Sequence, residues 1–72
     1  MGALLEDQLK WMRDHGWKVA VHNDYSVNFV SYTFWLFTHF SGVWVRGEAT
    51  TDSEALRQII HQVETRYPDL TA

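Results

Sequence analysis

Four histidines are the side chains of this sequence best suited to acid–base or metal chemistry near neutral pH. They stand at His15, His22, His39 and His61, and no two have the one- or three-residue gap that places two imidazoles on one metal. His22 and His39 fall on neighbouring predicted strands and could meet near Asp24, which would give a metal or acid–base site. Solvated surface histidines are the simpler interpretation, so we predict no metal site.

The other groups with catalytic potential have simpler explanations. Asp52 and Glu54 belong to the start of a predicted helix, where the helix dipole favours negative charge. The sequence has no cysteine, which excludes disulfides and thiolate metal sites. It also contains no nucleophile elbow and no glycine-rich phosphate loop. We therefore predict no enzymatic activity, no catalytic residue and no cofactor.

Hydrophobic periodicity predicts one α+β domain over residues 1–72. The predicted order is αβββα, a three-stranded antiparallel meander with two helices packed on it: helix 3–15, strands 17–23, 29–40 and 43–49, and helix 52–66. Polar residues at 23–26 predict the first turn, because short polar side chains bond their own backbone. Thr51 and Glu54 form a capping box at the start of the second helix. Pro68 ends that helix, and residues 69–72 are predicted to be a frayed tail.

The second helix is predicted to pack on the last strand. The helix has an apolar stripe formed by Leu56, Ile59, Ile60 and Val63. Period-two alternation gives the strand an apolar face, made of Val43, Val45, Gly47 and Ala49, and an opposite face, made of Trp44, Arg46 and Glu48. The small residues of the apolar face leave room for a helix.

The middle strand is apolar on both sides, so the length of the loop that follows it decides which side enters the core. A two-residue loop, Ser41-Gly42, would pair Phe40 with Val43 and bury Phe34 and Leu36. This loop is our preferred prediction.

The alternative is a three-residue loop that ends in a left-handed Gly42. It would pair His39 with Val43 and bury Trp35 and Phe37 instead. With either loop, two large apolar side chains of the middle strand lie beside Trp44, Arg46 and Glu48 on the second face of the sheet.

The second face is the predicted interaction site. Short joints connect both helices to the sheet, which favours packing on the same side and leaves the other side uncovered. In the preferred register the site residues are Trp35, Phe37, His39, Trp44, Arg46 and Glu48. A two-fold homodimer is the simplest cover, because one surface can pair with itself. A second core layer under the first helix and a stacking platform for a nucleobase are the alternatives.

Charge and hydropathy exclude other classes of partner. The net charge of −3 argues against direct nucleic-acid binding, which depends on neutralising phosphates. No apolar run reaches the roughly 18 residues that span a bilayer, so no membrane partner is predicted. The sequence starts with acids and lacks the basic and apolar regions of a signal peptide, which predicts a cytoplasmic protein.

Two features resemble the double-stranded-RNA-binding domain. They are the element order αβββα and the segment VWVRGEATTDSEALRQII, residues 43–60. In that family a last strand also leads into a helix across a short polar joint. Where the family carries a Lys-Lys-x-Ala-Lys phosphate clamp, this chain has Asp52, Ser53, Glu54 and Ala55. An acidic joint would repel phosphate, so the resemblance implies the fold layout without RNA binding.

In size and charge the sequence also resembles small acidic phage-encoded proteins, including ABA-sandwich phage domains with a helix that begins Glu54-Ala55-Leu56. Members of this group, such as anti-CRISPR proteins, often inhibit host defence. The resemblance implies a non-enzymatic protein-interaction module that inhibits a host protein by covering its surface. The host protein could itself be one that binds nucleic acid, and the inhibition would take place in the host cytoplasm. Acidic charge would steer it to a basic partner. A small-ligand or nucleotide binder with an aromatic sheet face is the alternative.

Overall fold

A computed structural model describes residues 3–71, and over that range the predicted αβββα fold is confirmed. The elements are α1 (Ala3–Asp14), β1 (Trp17–Val27), β2 (Val30–His39), β3 (Trp44–Ala49) and α2 (Asp52–Arg66). The strands form one antiparallel sheet in the order β1-β2-β3. Met1, Gly2 and Ala72, which the predicted domain includes, lie outside the described residues. Within residues 3–71, no helix is both long and apolar enough to cross a bilayer.

The first hairpin is longer than predicted. The predicted turn at 23–26 is wrong, because β1 continues through this segment and the chain turns at Asn28-Phe29. Both turn residues have left-handed backbones, with φ of 51° and 66°, as in the two-residue hairpin turns that match strand twist. Tyr25 stacks on its cross-strand neighbour Tyr32, with ring centroids 5.5 Å apart. Such aromatic pairs stabilise a hairpin and override the turn preference of the polar residues.

A β-bulge changes which face β1 presents along its length. Val19 pairs with Phe37 and Val21 with Leu36, so Ala20 is an extra residue without a partner in the ladder. One extra residue shifts the alternation by one position. Beyond the bulge His22 and Asp24 therefore lie on the same face as Phe37.

The second hairpin has the register of the three-residue loop, and the preferred two-residue loop is wrong. The His39 amide donates to the Val43 carbonyl at 2.8 Å, and the Gly42 amide donates to the His39 carbonyl at 2.8 Å. Gly42 is left-handed, with φ of 101°. In this register Trp35 and Phe37 are buried.

Both helices pack on one side of the sheet, here called the helix face. Gly47 lies under α2, since a Cβ there would be 2.8 Å from the Ala55 carbonyl oxygen. On the other helix, Leu9 lines a cleft together with Phe37 of the same face. Gln8 donates to the Ser53 carbonyl at 3.0 Å and ties α1 to α2.

The core lies between the helix face and the two helices. The buried apolar residues are Met12, Trp17, Trp35, Phe37, Val45, Ala55, Leu56, Ile59 and Val63. The predicted α2 stripe is thus confirmed for its three fully buried members, while Ile60 is only partly buried. The predicted frayed tail is wrong for Asp69 and Leu70, which belong to a short 3-10 helix, Pro68–Leu70, with Leu70 packed on the core.

Candidate functional site

The side of the sheet away from the helices, here called the open face, is the candidate site. Strand register assigns its members: Lys18, Val21, Asn23, Tyr25 and Val27 of β1, Val30, Tyr32, Phe34, Leu36 and Thr38 of β2, and Trp44, Arg46 and Glu48 of β3. Apolar and aromatic side chains dominate it, and Trp44 is 57% exposed. Soluble proteins normally keep such side chains inside or against a partner.

The extent of the open face can be worked out from strand lengths. The strands have 11, 10 and 6 residues. With a rise of about 3.4 Å per residue and a spacing of about 4.8 Å between strands, one face covers about 440 Å². The largest apolar patches on monomers measure about 300–600 Å² and are often functional. The open face, though not wholly apolar, is thus large enough for a binding site.

The six predicted site residues divide between the two faces. Trp44, Arg46 and Glu48 lie on the open face. The prediction that the other three accompany them is wrong, because the three-residue loop turns their side chains to the helix face. These buried residues are Trp35, Phe37 and His39. The open-face neighbours from β2 are instead Phe34 and Leu36, as the alternative register required.

A tyrosine and a glutamate join the outer strands across the open face. The Tyr25 hydroxyl of β1 donates to the Glu48 carboxylate of β3, above the middle strand. This hydrogen bond raises the pKa of Tyr25 above its usual 10.0. Phe34 pairs with Glu48 in the ladder and is half-buried. The hydrogen bond thus links the two outer strands across the open face, while Trp44 at its end stays exposed.

His39 is a structural residue of the helix face. Its Nδ1 accepts the Ser41 amide at 3.1 Å, and its Nε2 lies 3.0 Å from the His15 carbonyl oxygen. An accepting Nδ1 implies that Nε2 carries the proton and donates to that carbonyl. The ring thus joins the β2–β3 turn to the joint between α1 and β1. His39 does not meet His22, the possibility raised by the sequence, because His39 pairs with Trp17 at the start of β1, whereas His22 pairs with Trp35 in the middle of β2.

A second polar cluster lies where the helix face meets the start of α2. Asp52 Oδ1 accepts the Thr33 hydroxyl at 2.9 Å and the Trp35 indole N–H at 3.0 Å. The His22 ring stacks on Trp35 at 3.8 Å, with Nε2 3.5 Å from Asp52 Oδ1 and 3.8 Å from Asp24 Oδ1. Sequence reasoning assigned Asp52 to the helix dipole alone and missed this cluster, because the bulge that directs His22 towards it has no sequence signal.

Burial and hydrogen bonding act on Asp52 in opposite directions. Burial alone would raise its pKa, but the hydrogen bonds from Trp35 and Thr33 and the nearby His22 outweigh it, so the pKa is lowered from its usual 3.8. The ligand atoms of His22, Asp24 and Asp52 lie within 4.8 Å of one another, a spacing that could hold a cation. The helix N-terminus and two hydrogen-bond donors already stabilise the carboxylate and oppose a cation there. The cluster is explained by its role in joining α2 to the sheet.

The tip of the first hairpin is a feature that the sequence analysis did not single out. Phe29 is fully exposed at its end, with a left-handed backbone that a bulky side chain rarely adopts. Val27 and Val30 flank it and are also exposed. The tip extends the apolar open face beyond β3.

Comparisons with known proteins give no further support to either resemblance. No protein-family model, no curated protein and no solved structure matches this chain. A relationship to the double-stranded-RNA-binding domain or to phage proteins stays a prediction from the sequence, and the open face stands on its geometry.

Proposed function

We propose that this protein is a non-enzymatic protein-interaction module that binds through the open face of its sheet and acts by covering a surface of its partner. The observation that carries the proposal is the packing of both helices on one side, which leaves about 440 Å² of largely apolar sheet uncovered. An exposed Trp44 beside Arg46 suits this role, because Trp and Arg are enriched among interface residues that dominate binding energy.

The polar residues support an interaction module over an enzyme. His39 and Asp52 are the side chains with catalytic potential nearest the core, and each is occupied in joining elements of the fold. The flat shape of a sheet face also suits a protein partner better than a small ligand, which is usually enclosed in a cleft. Acidic net charge would steer the module towards a basic partner surface, including that of a nucleic-acid-binding host protein.

A second copy of the chain is the first partner to consider. A two-fold axis parallel to β2 would place β1 of one copy over β3 of the other, since the two outer strands exchange places. Lys18 shares a ladder level with Trp44, so it would lie over Trp44 of the other copy. The open face is thus complementary to itself in apolar character, and the Lys18 ammonium could stack on the indole ring.

Site-specific photo-crosslinking tests the proposal. A benzophenone amino acid replaces Trp44 in one variant and Phe40 in a matched control. Phe40 is even more exposed, at 87%, but lies in the β2–β3 turn against Gly16. We expect protein crosslinks from position 44 and few from position 40, both in purified protein, where they report self-association, and in bacterial lysate. Equal yields at the two positions would contradict the proposal.

The nucleotide-binding alternative predicts a different result. A ligand that binds the native state raises the melting temperature by mass action. Thermal shift against a panel of nucleotides should leave the melting temperature unchanged if the open face binds protein. A rise that is lost in Trp44→Asp would favour the aromatic face as a base-stacking platform.

A further inference from the structure

A groove runs along the free edge of β3, between the strand and the last turns of α2. Its volume is about 660 Å³. The side chains that matter for recognition are Trp44 and Arg46 of the strand, Gln62 and Arg66 of the helix, and Tyr67 just after it. The groove lies around the corner from the open face and shares Trp44 and Arg46 with it.

The charge of the groove is opposite to that of the whole protein. Two arginines line it and no acid does, although the net charge of the chain is −3. Among residues 3–71, Lys10 and Arg57 form salt bridges with Asp14 and Glu54, whereas neither groove arginine has such a partner. An arginine pair flanked by aromatic rings suits carboxylate groups, which guanidinium binds in a planar, two-pronged geometry.

The free edge of β3 presents backbone hydrogen-bonding groups to the same groove. Among the described strands β3 pairs with β2 alone, so its other edge is free. Because the Val43 carbonyl accepts from His39, the alternation of an antiparallel pair turns the backbone groups of Trp44 and Arg46 outward. The Gln62 side-chain amide donates to the Arg46 carbonyl at 2.8 Å, in the place that the N–H of an added strand would take.

We propose that this groove binds an extended, acidic peptide segment of a partner protein, which adds to the sheet as a fourth strand beside β3. The peptide backbone would displace Gln62 from the Arg46 carbonyl. Successive side chains of an added strand point to opposite sides of the sheet. Arg46 extends on the open-face side and Arg66 comes from the helix side, so two neighbouring acidic residues would each meet one arginine.

An added strand explains more of the groove than a nucleic acid does. A sugar–phosphate backbone has no alternating donors and acceptors to match the edge of β3, and the acidic chain repels it at longer range. A peptide uses both the ladder and the arginines. The proposal stands apart from the open face, because Gln62 and Arg66 belong to the groove alone.

Calorimetric titration with synthetic peptides tests the proposal. The probe is an acetylated and amidated peptide of six residues, the length of β3, with the sequence Val-Thr-Glu-Glu-Val-Thr. Its counterparts carry Gln-Gln in place of Glu-Glu, or N-methyl groups on alternate residues that block the ladder. We expect the Glu peptide to bind about tenfold more tightly than the Gln peptide, and the methylated peptide not to bind.

Two variants on α2 sharpen the test. Arg66→Gln should weaken the Glu peptide about fivefold and leave the Gln peptide unchanged. Arg57→Gln is the matched control, since Arg57 is also an exposed arginine of α2 but lies outside the groove, and it should change neither. Unfolding curves for both variants verify that the fold is retained.

Three results of the peptide titrations would overturn the proposal. They are failure of the Glu peptide to bind at millimolar concentration, equal binding of the methylated peptide, and equal losses from the two arginine variants. Adenosine triphosphate serves as a further probe. If it binds more tightly than the Glu peptide and loses affinity in Arg66→Gln, the groove is a phosphate site and the peptide assignment is wrong.

Discussion

Replacement of Gly47 by alanine is the most direct test of how α2 sits on the sheet. An added Cβ would lie 2.8 Å from the Ala55 carbonyl oxygen and 2.8 Å from Ile59 Cγ1, whereas ordinary contacts begin near 3.4 Å. The carbonyl belongs to the helix backbone and cannot turn aside. The helix must therefore move away from β3 by about 0.6 Å, and a gap of that size forfeits a quarter to a half of the dispersion energy of each contact across it.

The expected change in the free energy of unfolding follows from two opposing terms. Overpacking of this kind costs about 1–3 kcal/mol. Alanine restricts the unfolded chain relative to glycine and returns about 0.4–1 kcal/mol. With the mid-range values of these two terms, about 2 and about 0.7 kcal/mol, Gly47→Ala should destabilise the protein by about 1.3 kcal/mol, which for a domain of this size lowers the melting temperature by about 5–10 °C.

Urea unfolding followed by tryptophan fluorescence measures this change, with an unchanged m-value as evidence that the unfolding transition is otherwise the same. Ile59→Ala removes one of the two clashing atoms. The double variant should therefore lose less than the sum of the single losses, by about 0.5 kcal/mol or more. A Gly47→Ala protein as stable as wild type would refute the close approach of α2. The inference that this face is covered and the other open would then lose its main support.

Three further changes test other parts of the structure. Phe29→Gly relieves a left-handed backbone and should stabilise the protein by about 1 kcal/mol in urea unfolding; a loss of stability would mean that the turn differs. His39→Phe leaves the His15 carbonyl and the Ser41 amide without their partner and should cost about 1–3 kcal/mol in the same assay, whereas a neutral result would contradict the network. Because folding lowers the pKa of Asp52, its ionised carboxylate stabilises the fold at pH values above 3.8, the usual pKa. This contribution is lost as pH falls through the pKa of the folded state. The stability difference between wild type and Asp52→Asn should therefore shrink in acid, and a difference independent of pH would show that the carboxylate is not the stabilising group.

Features that depend on local patterns could be predicted from the sequence. The bounds of α2 follow from its capping box, and the Thr51 side chain does accept the Glu54 amide at 3.2 Å. The alternation along β3 places Trp44, Arg46 and Glu48 together, as predicted, because side chains of one strand keep a period of two in any register. These residues are the part of the predicted site that the structure brings together on the open face.

The remaining site residues depended on contacts between distant segments. Both sides of β2 are apolar, so local hydrophobicity favours neither, and the choice falls to the loop that follows. In the three-residue loop His39 enters the helix face, where its ring reaches the Ser41 amide and the His15 carbonyl at once. Those partners meet only when α1, β1 and the second hairpin are packed together. The tertiary structure thus decided that Trp35 and Phe37 are core.

The bulge in β1 shows the same division between local and tertiary information. Strict alternation would keep Val19 and Val21 on one face, and the sequence around Ala20 has no bulge signal such as glycine. The extra residue turns His22 to the helix face, where it stacks on Trp35 and lies beside Asp52. The sequence by itself determined the order and most bounds of the elements, because these rest on periodicity and capping over a few residues. The tertiary structure decided the register, the bulge and the identity of the open face. Because β2 is apolar on both sides, these features depend on which side the two helices cover and on which polar groups find hydrogen-bond partners there.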